Sequence, residues 1–347
     1  PILSGISSFM DLLGVANVAP PGEIPDTVRY AFWFGGLALF LSVLWTVGTT
    51  REYDPVEMAG FDLAETETQP AVRALASRSY FGCAAWIAAG LGVMAIRQEF
   101  SLLREVLLLG ALLIAYGLAS LAAIALARRG NEANMLSSIV GDFSGMPPIM
   151  KRLALVQFFS WSALFIMWIN TTPIVAQYHF GTTDAASAAY QTAANWVGTL
   201  FAIYNGVAAV AALTLLPWLS RRIGQARTHI TGLFCGALGY ASFFLLRDPT
   251  HLIASEVLIG IFWASVLAMP YAILASSLPQ GKLGIYMGLF NIFVVIPQLL
   301  VATVMGSIMA AFFPGAPIYT MAFASGTLLL AAAAMTRVTP LTEGTAR

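Results

Sequence analysis

The sequence has very little charge for its length. Only 10% of its 347 residues are Asp, Glu, Lys or Arg, while 59% are hydrophobic and the mean hydropathy is +0.79. A water-soluble domain covers its surface with about a quarter of its residues charged. The composition therefore excludes an ordinary soluble protein, and a net charge of zero gives no reason to expect a nucleic-acid partner.

Residues that carry enzymatic or cofactor chemistry are also scarce. The two cysteines, Cys83 and Cys235, fall in separate apolar stretches, so buried thiols are expected rather than a disulfide. His179, His229 and His251 are the only histidines, and all three are predicted at helix ends or in loops, without a nucleophile motif. The sequence contains neither a P-loop nor a Gly-rich dinucleotide fingerprint. We expect no enzyme, no cofactor and no metal site.

What the sequence has instead is a series of long apolar stretches separated by short polar loops. About 20 helical residues cross a bilayer, and unalternating apolar runs of this length favour helices over barrel strands. The sequence therefore predicts an all-α polytopic membrane protein whose last six spans form one bundle. The predicted spans are 30–49, 80–96, 105–127, 153–173, 193–219, 229–246, 252–278, 284–312 and 318–336.

These spans divide the chain into segments of different character. The polar stretch before the bundle ends in Met146-Pro147-Pro148, where proline starts or stops a helix. The predicted segments are 1–49 (a short apolar remnant of a span and one full span), 50–79 (a cytoplasmic linker), 80–127 (an inserted transmembrane hairpin), 128–152 (a cytoplasmic segment), 153–337 (the six-helix bundle) and 338–347 (a cytoplasmic tail).

Basic residues collect in alternate loops, which predicts the orientation of the chain. Short cytoplasmic loops keep positive charge, and the two sets of loops differ strongly in it. We expect a multi-pass membrane protein with its C-terminus in the cytoplasm. The loops with few basic residues contain only Arg29, Arg97, Arg104 and Arg247. The loops with many basic residues contain Arg51, Arg73, Arg78, Arg128, Arg129, Lys151, Arg152, Arg221, Arg222, Arg227, Lys282, Arg337 and Arg347.

Glycines and prolines inside the spans predict how helices pack and bend. Gly232, Gly236 and Gly239 have a spacing that lets two membrane helices approach closely. Pro270 and Pro297 lie within spans, where each removes a backbone hydrogen bond and can act as a hinge.

Uncharged polar and aromatic side chains, rather than charges, occupy the bundle spans. Amides and hydroxyls can bond the hydroxyls of a neutral sugar, and aromatic rings can cover the apolar face of a pyranose. The alternative is that these residues join helices or form interfacial belts, which we prefer for Asn195 and Trp196 near a span end. Trp168 and Asn170 belong to the wider polar set. The predicted substrate-binding residues are Gln157, Trp161, Tyr204, Asn205, Trp263, Tyr271, Asn291 and Gln298.

Two members of that set share one helix face. Asn291 and Gln298 are seven residues apart, about two turns, so both are expected to point into a cavity rather than to join helices. Glu256 is the clearest acid inside the bundle, about one turn from the outer end of its span. Intramembrane carboxylates are costly and often functional, so Glu256 is a candidate for proton coupling. Hydration, or pairing with Arg247 across the short loop, is the alternative.

Three stretches resemble the bacterial and plant sucrose and maltose transporters. They are Val156–Gln177 (VQFFSWSALFIMWINTTPIVAQ), Met269–Ala275 (MPYAILA) and Gly284–Gln298 (GIYMGLFNIFVVIPQ), and N-x-x-x-V-I-P-Q is the most specific element. SRRIGQARTH, from Ser220 to His229, is similar to a degenerate superfamily loop signature. The resemblance covers roughly 20–340. It implies a proton symporter of the major facilitator superfamily, close to the glycoside–pentoside–hexuronide:cation symporters.

By this resemblance, the bundle is the C-terminal half of a twelve-helix fold, and most of the N-terminal half lies outside this sequence. Its first, second, fourth and fifth helices would face the central cavity. The implied function is proton-coupled uptake of a disaccharide, such as sucrose or maltose, by alternating access. The implied partners are a disaccharide or other small glycoside, protons and the lipid bilayer, and the implied location is a bacterial inner (plasma) membrane. The alternative function is a non-transporting membrane subunit or sensor that kept the fold.

The charge pattern makes a direct prediction of topology. Single cysteines placed at Gly181 and Gly315 should react with a membrane-impermeant thiol reagent added to intact cells, whereas cysteines at Gly130 and Gly281 should not, because positively charged loops stay in the cytoplasm. Lysed cells are the control in which all four should react. Labelling of the Gly281→Cys protein in intact cells would overturn the predicted orientation.

Overall fold

The described part of the chain is helical throughout. A computed structural model describes residues 14–15, 26–50, 75–99, 106–130, 134–278 and 283–338, and these contain no strand. A 3₁₀ turn at Pro249–His251 accompanies the α-helices. In chain order these are α1 (Asp26–Thr49), α2 (Phe81–Glu99), α3 (Val106–Arg128), α4 (Met135–Ser144), α5 (Pro148–His179), α6 (Ala188–Leu213), α7 (Leu215–Ile223), α8 (Gln225–Ser242), α9 (Leu252–Ala275), α10 (Leu283–Phe312) and α11 (Tyr319–Met335).

Six of the described helices are long and apolar enough to cross a membrane, judged by length and composition. They are α1, α3, α5, α6, α9 with the turn before it, and α10; α2 and α11 are apolar but shorter. Helix α8 falls in neither group, since polar residues such as Arg227 and His229 occupy its first turns. Each predicted span nevertheless overlaps at least one helix, so the predicted all-α polytopic fold is confirmed.

Several predicted boundaries differ from the structure. Helix α5 begins at Pro148, as the proline pair predicts, but continues past Pro173 to His179. The predicted span 193–219 is wrong, because the backbone leaves helical geometry at Thr214 and divides it into α6 and α7. The segment 128–152 also contains a helix, α4. Most of the residues in 1–19, 50–79 and 338–347 lie outside the described part of the chain.

Six helices, α5, α6 and α8 to α11, form a bundle with partial internal symmetry. Helix α5 packs against α6, α9, α10 and α11; α9 also packs against α6 and α8; and α8 packs against α11. Exchanging α5 with α9, α6 with α10 and α8 with α11 turns the pair α5–α10 into α9–α6, and the pair α5–α11 into α9–α8, whereas the α5–α6 contact has no counterpart of similar extent between α9 and α10. Because each group has three helices, an odd number, the second group would run inverted relative to the first, as in an inverted repeat.

Hydrogen bonds at the two ends of the bundle show which loops lie together. The Gln177 side-chain amide donates to the Gly315 carbonyl at 2.9 Å, which joins the end of α5 to the loop between α10 and α11. At the other end, Arg152 donates to the Arg337 carbonyl at 2.8 Å. Alternate loops therefore share an end, as the pattern of basic residues requires.

Glycines let α8 approach α9 closely. A Cβ at Gly236 would lie 2.5 Å from Phe262 Cγ, and one at Gly232 would lie 2.5 Å from Ser265 Cβ. Gly239 also faces α9, where a Cβ would meet Ile259 Cγ1 at 2.8 Å. No side chain larger than hydrogen fits these positions without a shift. The prediction that these glycines pack two helices together is confirmed.

The hairpin and the first helix have different surroundings. Helices α2 and α3 pack on each other, and α3 contacts α10 of the bundle. Phe143 of α4 stacks on Phe293 of α10 with ring centroids 5.8 Å apart, which ties α4 to the same helix. In α1, by contrast, Trp33 and Trp45 are 66% and 74% exposed. Such apolar surface suits contact with lipid or with further membrane helices.

The close approach of α8 and α9 predicts a difference between two glycines. Gly236→Ala should destabilise the bundle by about 1–3 kcal/mol, since overpacking a tight contact has that cost. Gly326→Ala in α11 is the matched control, because a Cβ there meets no atom within 4 Å; it should be neutral or stabilising by up to about 1 kcal/mol. Unfolding free energies in mixed micelles test this. Equal effects would contradict the α8–α9 contact.

Candidate functional site

Three tryptophans meet inside the bundle. Trp161 and Trp168 are seven residues apart on one face of α5, and Trp263 comes from α9. Their ring centroids are 5.7–6.2 Å apart, and each pair meets edge to face. Aromatic rings prefer this geometry, which gives the cluster a fixed shape. We call these three residues the aromatic wall; it joins the first helices of the two inverted groups.

Tyr204 of α6 extends the aromatic wall with a hydroxyl group. Its oxygen accepts a hydrogen bond from Trp168 Nε1 at 3.1 Å. Helix α9 crosses α6 at this level through Gly260, where a Cβ would lie 2.6 Å from the Tyr204 carbonyl oxygen. The neighbouring Asn205 donates a hydrogen bond from its amide nitrogen to the Phe201 carbonyl oxygen of its own helix at 2.9 Å. The amide oxygen of Asn205 can accept a further hydrogen bond.

Tyr271 and Asn291 are bonded to each other. The Tyr271 hydroxyl donates to Asn291 Oδ1 at 2.8 Å, which joins α9 to α10. The expectation that Asn291 would not join helices is therefore wrong. The reason is that the Tyr271 side chain reaches across the gap between two helices that are not among the closely packed pairs of the bundle. Gln298 lies two turns further along α10 and is half-buried.

Gln157 brings buried amide atoms to the same face of α5. It lies one turn before Trp161 and is fully buried, and neither its Oε1 nor its Nε2 has a hydrogen-bond partner among the described residues. Trp161 Nε1 has none either. Buried polar atoms are normally hydrogen-bonded. These donors and acceptors are therefore chemically suited to bond a polar solute.

Glu256 is fully buried in α9. It lies on the same face as Trp263 and seven residues before it, a rise of about 10.5 Å along the helix. Neither carboxylate oxygen has a hydrogen-bond partner within the described residues. Tyr204 and Tyr240 are both within electrostatic range of this carboxyl. The acid thus lies two turns along α9 from the aromatic wall, within electrostatic range of Tyr204.

One alternative environment expected for Glu256 is not found in the structure. The side chain has no exposed surface. It is not paired with Arg247, because the ion pair found in the described part of the chain joins Arg29 to Asp26 at 3.2 Å. A charge in hydrocarbon without a partner is costly, and a bound proton is the smallest species that removes it.

The three histidines lie near helix ends, as predicted, but one of them is buried. His229, in the second turn of α8, is fully buried, with Nδ1 2.7 Å from Ser265 Oγ of α9. Gly232 brings the two helices close enough for this bond. His179 lies at the end of α5, with Nε2 3.0 Å from the Leu246 carbonyl oxygen, and His251 closes the 3₁₀ turn. The sequence did not predict the burial of His229.

The structure also clarifies the roles of two tryptophans. Trp168, which the sequence places only in the wider polar set, lies at the centre of the aromatic wall. Its seven-residue spacing from Trp161 was the available signal. Trp196 donates from Nε1 to the Pro249 carbonyl at 2.9 Å, which joins α6 to the 3₁₀ turn as expected for a structural residue. Asn195 is exposed.

Comparison with known proteins gives one distant structural similarity. No protein-family model and no curated protein matches the sequence. The chain is similar to the crystal structure of an auto-inhibited POT family peptide transporter, with a TM-score of 0.46 and 18% sequence identity. The match covers 92% of this chain and 65% of that transporter, so the chain spans about two thirds of its length. Similarity at this level assigns neither a family nor a substrate.

The bond between Tyr271 and Asn291 makes a quantitative prediction. Tyr271→Phe and Asn291→Ala should each lower the free energy of unfolding by about 0.5–1.5 kcal/mol, the net value of one hydrogen bond. The double variant should lose little more than either single variant, since both remove the same bond. Detergent unfolding of the four proteins gives the coupling energy. Gln298→Ala, on the same helix face, is the control that should add independently; additive losses for the bonded pair would contradict the bond.

Proposed function

We propose that the bundle is one half of a secondary active transporter with the major facilitator fold. The observation that carries this proposal is the partial exchange symmetry of the six helices, in which the pairs α5–α10 and α9–α6, and the pairs α5–α11 and α9–α8, correspond. Inverted repeats of three spans are nested within each half of such carriers, and their substrate sites lie near the bilayer midplane between helices. The aromatic wall is made by the first helix of each group. The sequence resemblance points to the same superfamily.

The substrate that the site chemistry favours is a neutral disaccharide of the sucrose or maltose type. The aromatic wall offers ring surface for a pyranose, while Gln157 and Asn205 offer amide atoms for hydroxyl groups. A zwitterionic peptide would need a cation for its carboxylate, and the described residues of this site include no Lys or Arg. Tyr271, Asn291 and Gln298 would complete the contacts from the second group of helices.

Glu256 is the proposed proton-coupling residue. It is closed to solvent, has no cation beside it and lies two turns from Trp263 on one helix face. Intramembrane acids in such positions commonly serve as proton relays. Protonation would remove an unpaired charge next to the sugar site, so proton binding and sugar binding can influence each other through Tyr204. The expected direction of sugar transport is into a bacterial cell, driven by protons that move down their gradient.

Uptake by proteoliposomes tests this function. The chain, joined to the preceding spans that the resemblance implies, is reconstituted with a pH gradient that is acidic outside. Radiolabelled sucrose or maltose should accumulate, and an alanylalanine dipeptide should not. Accumulation of the dipeptide without either sugar would overturn the substrate assignment. Sugar binding without any uptake would instead support the non-transporting alternative.

Glu256→Gln should separate coupling from transport. The variant should lose gradient-driven accumulation but keep sugar exchange at equal pH, because the amide keeps the shape of the side chain and cannot release a proton. Asp248→Asn is the control: this exposed carboxyl lies outside the spans, and hydrogen bonds from Thr250 lower its pKa, so it stays ionised and takes no part in coupling. Unimpaired accumulation by Glu256→Gln would remove Glu256 from the site.

A further inference from the structure

A cavity of about 400 Å³ lies between the hairpin and the bundle, away from the aromatic wall. Its walls come from α2 and α3, from α4, and from the middle of α10. Leu113 of α3 and Leu299 of α10 line opposite sides. The α10 wall includes residues on both sides of Pro297, the residue at which that helix can bend. No role in the proposed transport accounts for this space.

The lining of the cavity is almost entirely hydrocarbon. Of its fifteen lining residues, polar atoms occur only in Trp86, Tyr116 and Thr303. The Thr303 hydroxyl already donates to carbonyl groups of its own helix. A stable buried water needs about two to four polar partners, which this lining does not offer. The chemistry of the walls therefore selects an apolar occupant.

The volume fits one lipid chain. A dry cavity of about 150 Å³ accepts the six carbons of benzene, so 400 Å³ corresponds on that scale to about 16 carbons. The walls α3 and α10 are both long and apolar enough to cross a membrane, which places the cavity at the depth of the bilayer hydrocarbon. A single acyl chain matches both the size and the surroundings, whereas two chains exceed the volume.

One end of the cavity lies near the bilayer surface. Leu136 and Val140 of α4 line that end, and Ser137 between them donates to the Ala123 carbonyl in the last turns of α3. Helix α3, which is long and apolar enough to cross a membrane, ends five residues later at Arg128. A lipid headgroup at this end of the cavity would therefore lie at the level of the bilayer surface.

We propose that the cavity between α3, α4 and α10 binds one acyl chain of a phospholipid, whose headgroup lies at the bilayer surface near the end of α3. The other chain of the lipid would stay in the surrounding bilayer. The bound chain would fill the space behind the bend in α10 and so support the hairpin against the bundle. This site is independent of the proposed transport, because neither the aromatic wall nor Glu256 contributes to it.

Photolabelling of the purified full chain tests the site. The probe is phosphatidylglycerol with one palmitoyl chain that carries a diazirine near its middle, and labelled peptides are identified by mass spectrometry. Labels should fall on peptides containing Leu109–Ala119 and Ile292–Thr303. Leu113→Trp should reduce labelling about tenfold, because the larger ring displaces roughly two methylene groups of the bound chain. Leu118→Trp, on the exposed face of the same helix, should not change it.

Further variants keep the test decisive. Leu299→Trp closes the cavity from the opposite wall and replaces Leu113→Trp if that protein does not fold. Unlabelled phosphatidylglycerol with the same chains should compete with the probe for these peptides. Labels spread evenly over exposed α3 positions, unaffected by either Trp substitution, would show ordinary boundary lipid and overturn the proposal. An absence of labels on both walls would overturn it equally.

Discussion

The whole bundle depends on how closely α9 approaches its two neighbours. Lipid offers no hydrophobic drive to bring membrane helices together, so association depends on close van der Waals packing and hydrogen bonds. Here both contacts are made at glycine: Gly236 of α8 faces α9, and Gly260 of α9 faces the backbone of α6. These contacts set where α9 can place Trp263 and Glu256. The position of a site on α9 therefore depends on these glycine contacts.

That the spans are helical follows from the sequence because hydrocarbon forces the backbone to pair within each span. The helix ends and the short helices α4 and α7 do not follow, since hydropathy does not register local backbone geometry. The break at Thr214 leaves apolar residues on both sides, and α5 continues through Pro173 to His179. The burial of His229 was equally hidden, because it depends on a contact with Ser265, 36 residues away.

In the candidate site, too, features within one helix can be predicted from the sequence, whereas contacts between helices cannot. The seven-residue spacing of Trp161 and Trp168 is visible in the sequence, and so is a shared helix face. That Trp263 completes the cluster, however, requires knowing how α9 crosses α5. The sequence also treats Tyr271 and Asn291 as two independent polar residues, whereas they are partners in one bond. Which polar residues bind each other, and which remain open to a solute, is a property of the fold.

The two inverted groups share a packing pattern but differ in chemistry. In each group one polar bond joins the first helix to the second, from Trp168 to Tyr204 and from Tyr271 to Asn291. Only the second group, however, carries an acid within its first helix. Under the proposed function, α5 supplies ring surface and amides to the sugar, while α9 supplies both a ring and the proton site. Because proton and sugar would bind at one rigid helix, neither could shift α9 without changing the surroundings of the other, which is the physical requirement for coupling.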